Sequence, residues 1–268
     1  MPSAHGVFAY ASPIFIVAAW PVVVWYRRPL VLWYLHRANP LMLRLAVRLA
    51  TSVVTADAAS LTFSSPKVIA VGHGILTERF PVRRSWDDVT ARSLRIVSVG
   101  RITPIKDFAT LIRATALMVE RGRAVTVRII GVAGNLEQRQ YEQQLKQLVR
   151  DERLDDTVTF PGKTHFDDMP SQYAWADIVV GCTPPGGIDK ALLEGMASGC
   201  AVVTSNTVMR TMLGRYADAS VFPHGDASAL AERIQAAIVD ERTSLAMARI
   251  VAEHHDLHHT IARIMTRL

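Results

Sequence analysis

Residues Pro184 to Val203, PPGGIDKALLEGMASGCAVV, place a glycine-rich loop ahead of an apolar helix that carries one carboxylate, Glu194, and closes at Gly199 before a strand at Ala201–Thr204. Backbone N–H groups in such a loop and at the helix start suit an anion. The first-turn donors lack partners within the helix, and the aligned peptide dipoles favour negative charge there. A carboxylate one or two turns further in cannot bind phosphate, but it can accept hydrogen bonds from sugar hydroxyls beyond it. The combination points to a nucleotide or nucleotide-sugar site. Strand, glycine loop and helix also make up any α/β crossover, so the stretch alone leaves both readings open.

A second loop adds cations. The strand Arg95–Val99 runs into Gly100-Arg101-Ile102-Thr103-Pro104-Ile105-Lys106, directly before a helix. Arg101, with its planar fork, and Lys106, as a point charge, can converge on a diphosphate. In a reaction that expels a nucleoside diphosphate they would stabilise the charge developing on the leaving group. The competing reading is a pair of solvated loop charges. His36, at the carboxyl end of a strand over Leu30–Leu35, sits where open α/β sheets place ligands, though an ordinary loop histidine has the same sequence context.

Other clusters carry less. His254 with His258, and His255 with His259, have helical i,i+4 spacing that could hold a metal, but a solvated helix face is favoured. Asp167 and Asp168 read as helix-capping acids, with paired acid/base work a minor alternative, and Met196 and Met209 as core filling. Cys182 and Cys200 match neither a disulfide framework nor a zinc pattern, which fits a reducing, cytoplasmic location. No metal site is predicted.

The elements that must position these residues follow from periodicity. Strands are predicted at Val125–Ile130, Thr157–Phe160, Ile178–Cys182 and Ser220–Phe222 besides those above, with helices between them at 107–121, 136–153, 169–174, 190–197 and 208–216. A helix at 228–239 and a C-terminal helix close the chain. This alternation makes residues 93–268 an α/β, Rossmann-like doubly wound parallel domain. Residues 1–75 hold shorter strands at 52–55 and 68–71 and a helix at 40–50, and read as a partial α/β domain; the charged, aperiodic stretch 76–92 reads as the linker.

Residues 7–26, VFAYASPIFIVAAWPVVVWY, are uncharged and precede Arg27 and Arg28, which raises a membrane span. Pro13, Pro21 and the immediate second apolar run PLVLWYL favour an apolar helix feeding a buried strand instead. In the whole chain of 268 residues half are hydrophobic, and Lys plus Arg outnumber Asp plus Glu by 30 to 24, so the formal net charge is +6. Such a surface favours phosphates or acidic lipid; without a basic block interleaved with aromatics, nucleic acid is not expected as a partner.

Taken in order, G-R-x4-K-D-F-x-T-L-I-x-A (Gly100–Ala114), R-I-I-G (Arg128–Gly131), V-x-F-x-G (Val158–Gly162), A-D-I-V-V (Ala176–Val180) and L-E-G-M-A-x-G-x-x-V-V (Leu193–Val203) resemble the C-terminal domain of group 1, or family 4, glycosyltransferases. The resemblance implies the two-Rossmann-domain GT-B fold and retaining transfer of a hexose from a nucleoside-diphosphate sugar to a glycan or lipid-linked acceptor. It implies no cofactor and no tightly held metal. Gly100, Arg101 and Lys106 then match the grip on the donor diphosphate, Glu194 the acid on the ribose hydroxyls, and Gly186, Gly187, Ile188, Asp189 and Lys190 the loop whose amides approach the phosphates and sugar. His36 matches the histidine near the reacting sugar and acceptor. Two departures stand out. Gly186 occupies the place of a second glutamate that contacts the donor sugar, although relatives with an Asp-Lys pair like Asp189-Lys190 also lack it. No glycine-rich loop is visible near residue 1, so the expectation is a transferase missing much of its N-terminal domain, with an inert nucleotide-binding fragment or partner subunit as the alternative. The expected location is cytoplasmic, with peripheral contact to an anionic inner membrane face.

Overall fold

The computed structural model describes residues 4–35, 40–58, 61–82, 93–237 and 240–268. In chain order its elements begin with β1 (Val7–Tyr10), α1 (Pro13–Trp25), β2 (Leu30–Trp33), α2 (Leu41–Leu49), β3 (Ser52–Thr55) and β4 (Val68–Ala70). They continue with β5 (Leu94–Val99), α3 (Phe108–Glu120), β6 (Val125–Ile130), α4 (Leu136–Asp151), β7 (Val158–Gly162), α5 (Met169–Trp175), β8 (Ile178–Gly181), α6 (Lys190–Ala197) and β9 (Ala201–Thr204). The chain closes with α7 (Met209–Leu213), α8 (Ala217–Ser220), α9 (Ala227–Ala236), α10 (Glu241–His255) and α11 (Leu257–Met265). Two compact units result: Met1–Leu76 with Gly186–Ile188 and Glu253–Leu268, and Thr77–Pro185 with Asp189–Ala252.

The first unit is built on a parallel sheet in the order β1-β2-β3-β4. The uncharged run at its start is split, where a continuous helix was expected. Val7–Tyr10 pair in register with Leu30–Trp33, Ala11 turns through a positive φ of 61°, and Pro13 opens α1, where its missing N–H leaves no donor unpaired. Among the described residues no helix is long and apolar enough to cross a membrane. One sheet face packs Leu30, Leu32 and Val53 against Ile16, Val23 and Leu43. The other packs Val31, Trp33, Val54 and Val71 with Ile264 and Leu268. That second apolar face explains why residues 253–268 belong to this unit and not to the domain over 93–268 expected from sequence. The tail is held by backbone bonds as well: Ile75 N–H donates to the His255 carbonyl at 2.7 Å and Leu257 N–H to the Ile75 carbonyl at 2.8 Å. Gly72, at φ +91°, permits the approach, since a Cβ there would lie 2.2 Å from the His254 carbonyl oxygen.

The predicted C-terminal helix is therefore two helices. Asp256 breaks them and caps α11, accepting from the His258 and His259 N–H groups. The i,i+4 histidine pairs fall across the break, and His255 is 4% exposed, contrary to the solvated face expected for it. Its Nδ1 accepts the His73 backbone N–H at 3.2 Å.

The second unit is a parallel sheet in the order β7-β6-β5-β8-β9, in which β5 lies parallel beside β8 and the chain's progression along the sheet switches sides between them. The strand expected at Ser220–Phe222 is reduced to one bridge, Thr204 to Val221, because α8 takes in Ser220. Gly214, at φ +52°, ends α7 inside the helix expected over 208–216. Asp167 does not cap α5; it pairs with Arg79, which holds its carboxyl below the usual carboxylate range. Asp168 makes no side-chain cap either. Of the expected linker, residues 77–82 belong to the second unit and 83–92 lie outside the described residues.

Two glycines set the spacing of this sheet. A Cβ on Gly131 would lie 1.9 Å from the Gly100 carbonyl oxygen, and one on Gly195 would lie 2.7 Å from Val179 Cγ1. Gly195 thus lets α6 lie close on β8. Gly195→Ala gains about 1 kcal/mol of helix propensity but forces α6 off a rigid β-branched neighbour, which costs roughly 1–3 kcal/mol. Urea unfolding should therefore show a net loss of stability on the order of 1 kcal/mol.

His255 gives the first unit an acid-sensitive tie. Burial, followed by the charges of His73, His254 and Arg263, lowers its pKa from 6.5 to about 4. Protonation at Nδ1 must also break the bond from His73. Because the folded value is the lower one, the stabilisation is complete above pH 6.5 and is lost as pH falls toward about 4. At ~1.36 kcal/mol per pH unit the loss is roughly 3 kcal/mol. Unfolding free energy measured at pH 7 and pH 4 should fall by about this much more in the wild type than in His255→Gln.

Candidate functional site

Sheet order places the crevice of the second unit outside the carboxyl ends of β5 and β8, where crossovers leave in opposite directions and the loops splay apart. A small pocket there is lined by Ser98, Lys106, Gly181, Thr183, Asp189 and Leu192. The sequence-predicted loops of both strands meet at it.

The loop after β5 is folded by its own backbone. Ile102 N–H donates to the Val132 carbonyl at 3.1 Å, and Lys106 N–H to the Thr103 carbonyl at 3.0 Å, which closes a short 3-10 turn over Pro104–Lys106. Asp107 then adopts a left-handed conformation and caps α3 through Thr110. Glycine at position 100 makes room for the Lys106 stem, since a Cβ there would lie 2.8 Å from Lys106 Cε. The stem runs over Gly100 and its ammonium pairs with the Asp189 carboxylate. Arg101 is exposed, and among the described residues it makes no hydrogen bond or ion pair.

Asp189 has a second task. Its Oδ1 accepts the Ala191 N–H at 3.2 Å, capping α6. The far end of α6 closes at Gly199, at φ +81°, with Gly199 N–H donating to the Met196 carbonyl and Cys200 N–H to the Gly195 carbonyl, so the glycine predicted to stop the helix does so by satisfying its last carbonyls. Between these ends, Lys190 is exposed and Glu194 half-buried. Burial raises the Glu194 pKa and Asp189 adds to that, while Tyr173 and Lys190 pull it back. Tyr173 Oη donates to Glu194 Oε2 at 3.0 Å.

Gly186, Gly187 and Ile188 group with the first unit. There the His73 Nε2–H donates to the Ile188 carbonyl at 2.8 Å, and the Ile188 side chain is buried. His36 lies outside the described residues. Cys182 and Cys200 are both buried free thiols, and burial pushes Cys182 up. A broad depression beside Arg44 and Lys67 is the end of α2: the Lys67 ammonium donates to the carbonyls of Val47, Arg48 and Ala50.

Tyr173 and His73 were not singled out in the sequence. Each acts on a residue 21 or 115 positions away, and no local pattern encodes such pairings. The one cue was the glycine on either side of His73, the mark of a constrained turn.

The model of the family "Glycosyl transferases group 1" matches residues 93–240. The putatively named colanic acid biosynthesis glycosyltransferase WcaL of Escherichia coli K12 is 29% identical over 180 residues, covering 61% of this chain and 43% of its own length. The amylovoran biosynthesis glycosyltransferase AmsK of Erwinia amylovora is 29% identical over 216 residues, covering 75% of this chain and 51% of its own. The chain thus spans about half the length of the curated relatives it matches. Among solved structures, Anabaena Alr3699/HepE in complex with UDP and glucose superposes with a TM-score of 0.76 at 21% identity, over 97% of this chain and 78% of that one. The fold is the Rossmann-like α/β architecture of GT-B glycosyltransferases. By sequence and by fold, the chain belongs to the group 1 glycosyltransferases.

Proposed function

We propose that the chain takes part in transferring a hexose from a nucleoside-diphosphate sugar to a glycan or lipid-linked acceptor, with retention of configuration and without a cofactor or bound metal. The observation that carries this reading is the meeting of Lys106 with Asp189 at the switch point, at the mouth of a helix bearing a half-buried Glu194. As the bond between the anomeric carbon and the diphosphate breaks, negative charge gathers on the departing group. Lys106 and Arg101 are the cations that stabilise it, and Glu194 accepts from the ribose hydroxyls. Gly100 keeps space for Lys106. The amides of Gly187 and Ile188, with Gly186, Asp189 and Lys190, belong to the donor loop, and His36 matches the family histidine assigned to the transferred sugar; these roles rest on the family resemblance. The named relatives are glycosyltransferases of colanic acid and amylovoran biosynthesis, which supports a glycan acceptor. The net charge of +6, together with exposed Phe15, Trp20 and Trp25 on α1, supports a cytoplasmic protein in peripheral contact with an anionic membrane.

Gly186, standing where the family has a second glutamate, favours a second reading: a nucleotide-binding partner subunit that does not itself transfer sugar. Donor hydrolysis or transfer by the purified chain separates the two.

Lys106 is held by Asp189, so an incoming diphosphate meets a carboxylate alongside its cation. Calorimetry with UDP should show Lys106→Ala weakening binding about tenfold or more, a loss of at least ~1.4 kcal/mol. Asp189→Asn keeps an α6 cap but removes the like charge. It should bind UDP at least several-fold more tightly, since unit charges a few ångström apart interact by ~1 kcal/mol even in bulk water. Unchanged affinity in Lys106→Ala would count against the diphosphate assignment.

A further inference from the structure

Glu194 is a half-buried carboxylate whose Oε2 accepts from Tyr173 Oη at 3.0 Å, while among the described residues its Oε1 accepts no hydrogen bond. Tyr173 is fully buried. Its ring meets Phe80 edge to face at a centroid distance of 5.8 Å, and its carbonyl accepts from Cys200 Sγ at 3.3 Å, just past the end of α6. Ring and main chain of Tyr173 are thus fixed from two sides, and the phenol is a rigid donor aimed at one carboxylate oxygen.

A carboxylate on a flexible stem binds a vicinal diol poorly, because its rotamer entropy must be lost on binding and its two oxygens compete for other donors. A rigid donor on one oxygen removes most of that cost and directs the remaining lone pairs outward. We propose that Tyr173 is a positioning residue that makes the nucleotide pocket select ribose, by holding Oε2 of Glu194 so that Oε1 is presented to the 2′- and 3′-hydroxyls. The inference rests on the reading of Glu194 as the ribose acceptor.

The charged and titratable groups around Glu194 are Tyr173, Lys190 and Asp189, and those around Tyr173 are Glu194, Asp189 and Cys200. The Tyr173 bond favours the ionised carboxyl, so its removal moves the Glu194 titration upward.

The test compares UDP with its 2′,3′-dideoxy analogue by calorimetry on the full chain, in wild type, Tyr173→Phe, Glu194→Ala and the double variant. Phenylalanine keeps the contact with Phe80, and near-ultraviolet circular dichroism checks that packing persists. The wild type is expected to prefer UDP by about tenfold or more, as for a hydrogen bond to a charged group. Tyr173→Phe should lose most of that preference while binding the dideoxy analogue within about twofold of wild type. In Glu194→Ala the added Tyr173→Phe change should do nothing further. The acid limb of UDP binding should also move to higher pH in Tyr173→Phe. A wild type that binds both ligands equally overturns the ribose reading and this inference with it. A wild type that discriminates, beside a Tyr173→Phe variant that discriminates equally well, overturns the role of Tyr173 alone. Equal weakening toward both ligands, or loss of packing in the variant, overturns it as well, by showing a general support of the fold.

Discussion

The ammonium of Lys106 reaches across the switch point to the carboxylate of Asp189, two residues 83 positions apart in the chain. That ion pair requires a parallel sheet with β5 beside β8, a turn after β5 that aims the lysine inward, and a helix start that offers a carboxylate on the opposite wall. Both groups are about four-fifths buried, so each is partly removed from water and each is the other's ion-pair partner. In the proposed function an anion entering the crevice would find the cation partly desolvated and placed, at the expense of sharing it with Asp189.

Closeness is the second constraint, and glycine supplies it. Gly131 touches the Gly100 carbonyl where any side chain would collide, Gly100 lies beneath the Lys106 stem, and Gly195 sets α6 directly on Val179. Family motifs that look like isolated letters in the sequence are therefore parts of one packing problem, which is to bring two loops and a helix close together at the switch point. Gly72 solves the corresponding problem in the first unit, letting the chain at His73 lie against the segment from His254 to Leu257.

The carboxyl chemistry depends on burial in the same way. Glu194 is pushed toward its neutral form by desolvation and drawn back by the Tyr173 phenol and by Lys190. Those two groups oppose the desolvation that favours the protonated acid, and the net shift remains upward. Phe80, edge-on to the ring, and Cys200, which donates to the Tyr173 carbonyl, hold the phenol in place.

The sequence by itself determined the second unit almost completely. The alternation of apolar strands with amphipathic helices, the glycine that stops α6 and the cations after β5 are local signals, and their physics operates within a few residues, so β6, β9 and α6 stand at the residues expected. It likewise put the loop carrying Lys106 at the carboxyl end of a parallel strand, and that loop does meet Asp189 at the crevice between β5 and β8. Only tertiary structure decided what depends on distant partners. It split the uncharged run at 7–26 into an edge strand and a helix, because β2 offered Val7–Tyr10 a neighbour. It returned the C-terminal tail to the first unit, because the second face of that sheet needed Ile264 and Leu268 to cover it. It turned His255 from an exposed helix residue into a buried acceptor and set Tyr173 against Glu194. These pairings span from 21 to 182 positions of sequence, and neither periodicity nor spacing carries information over that range, because the contact exists only once the chain has folded.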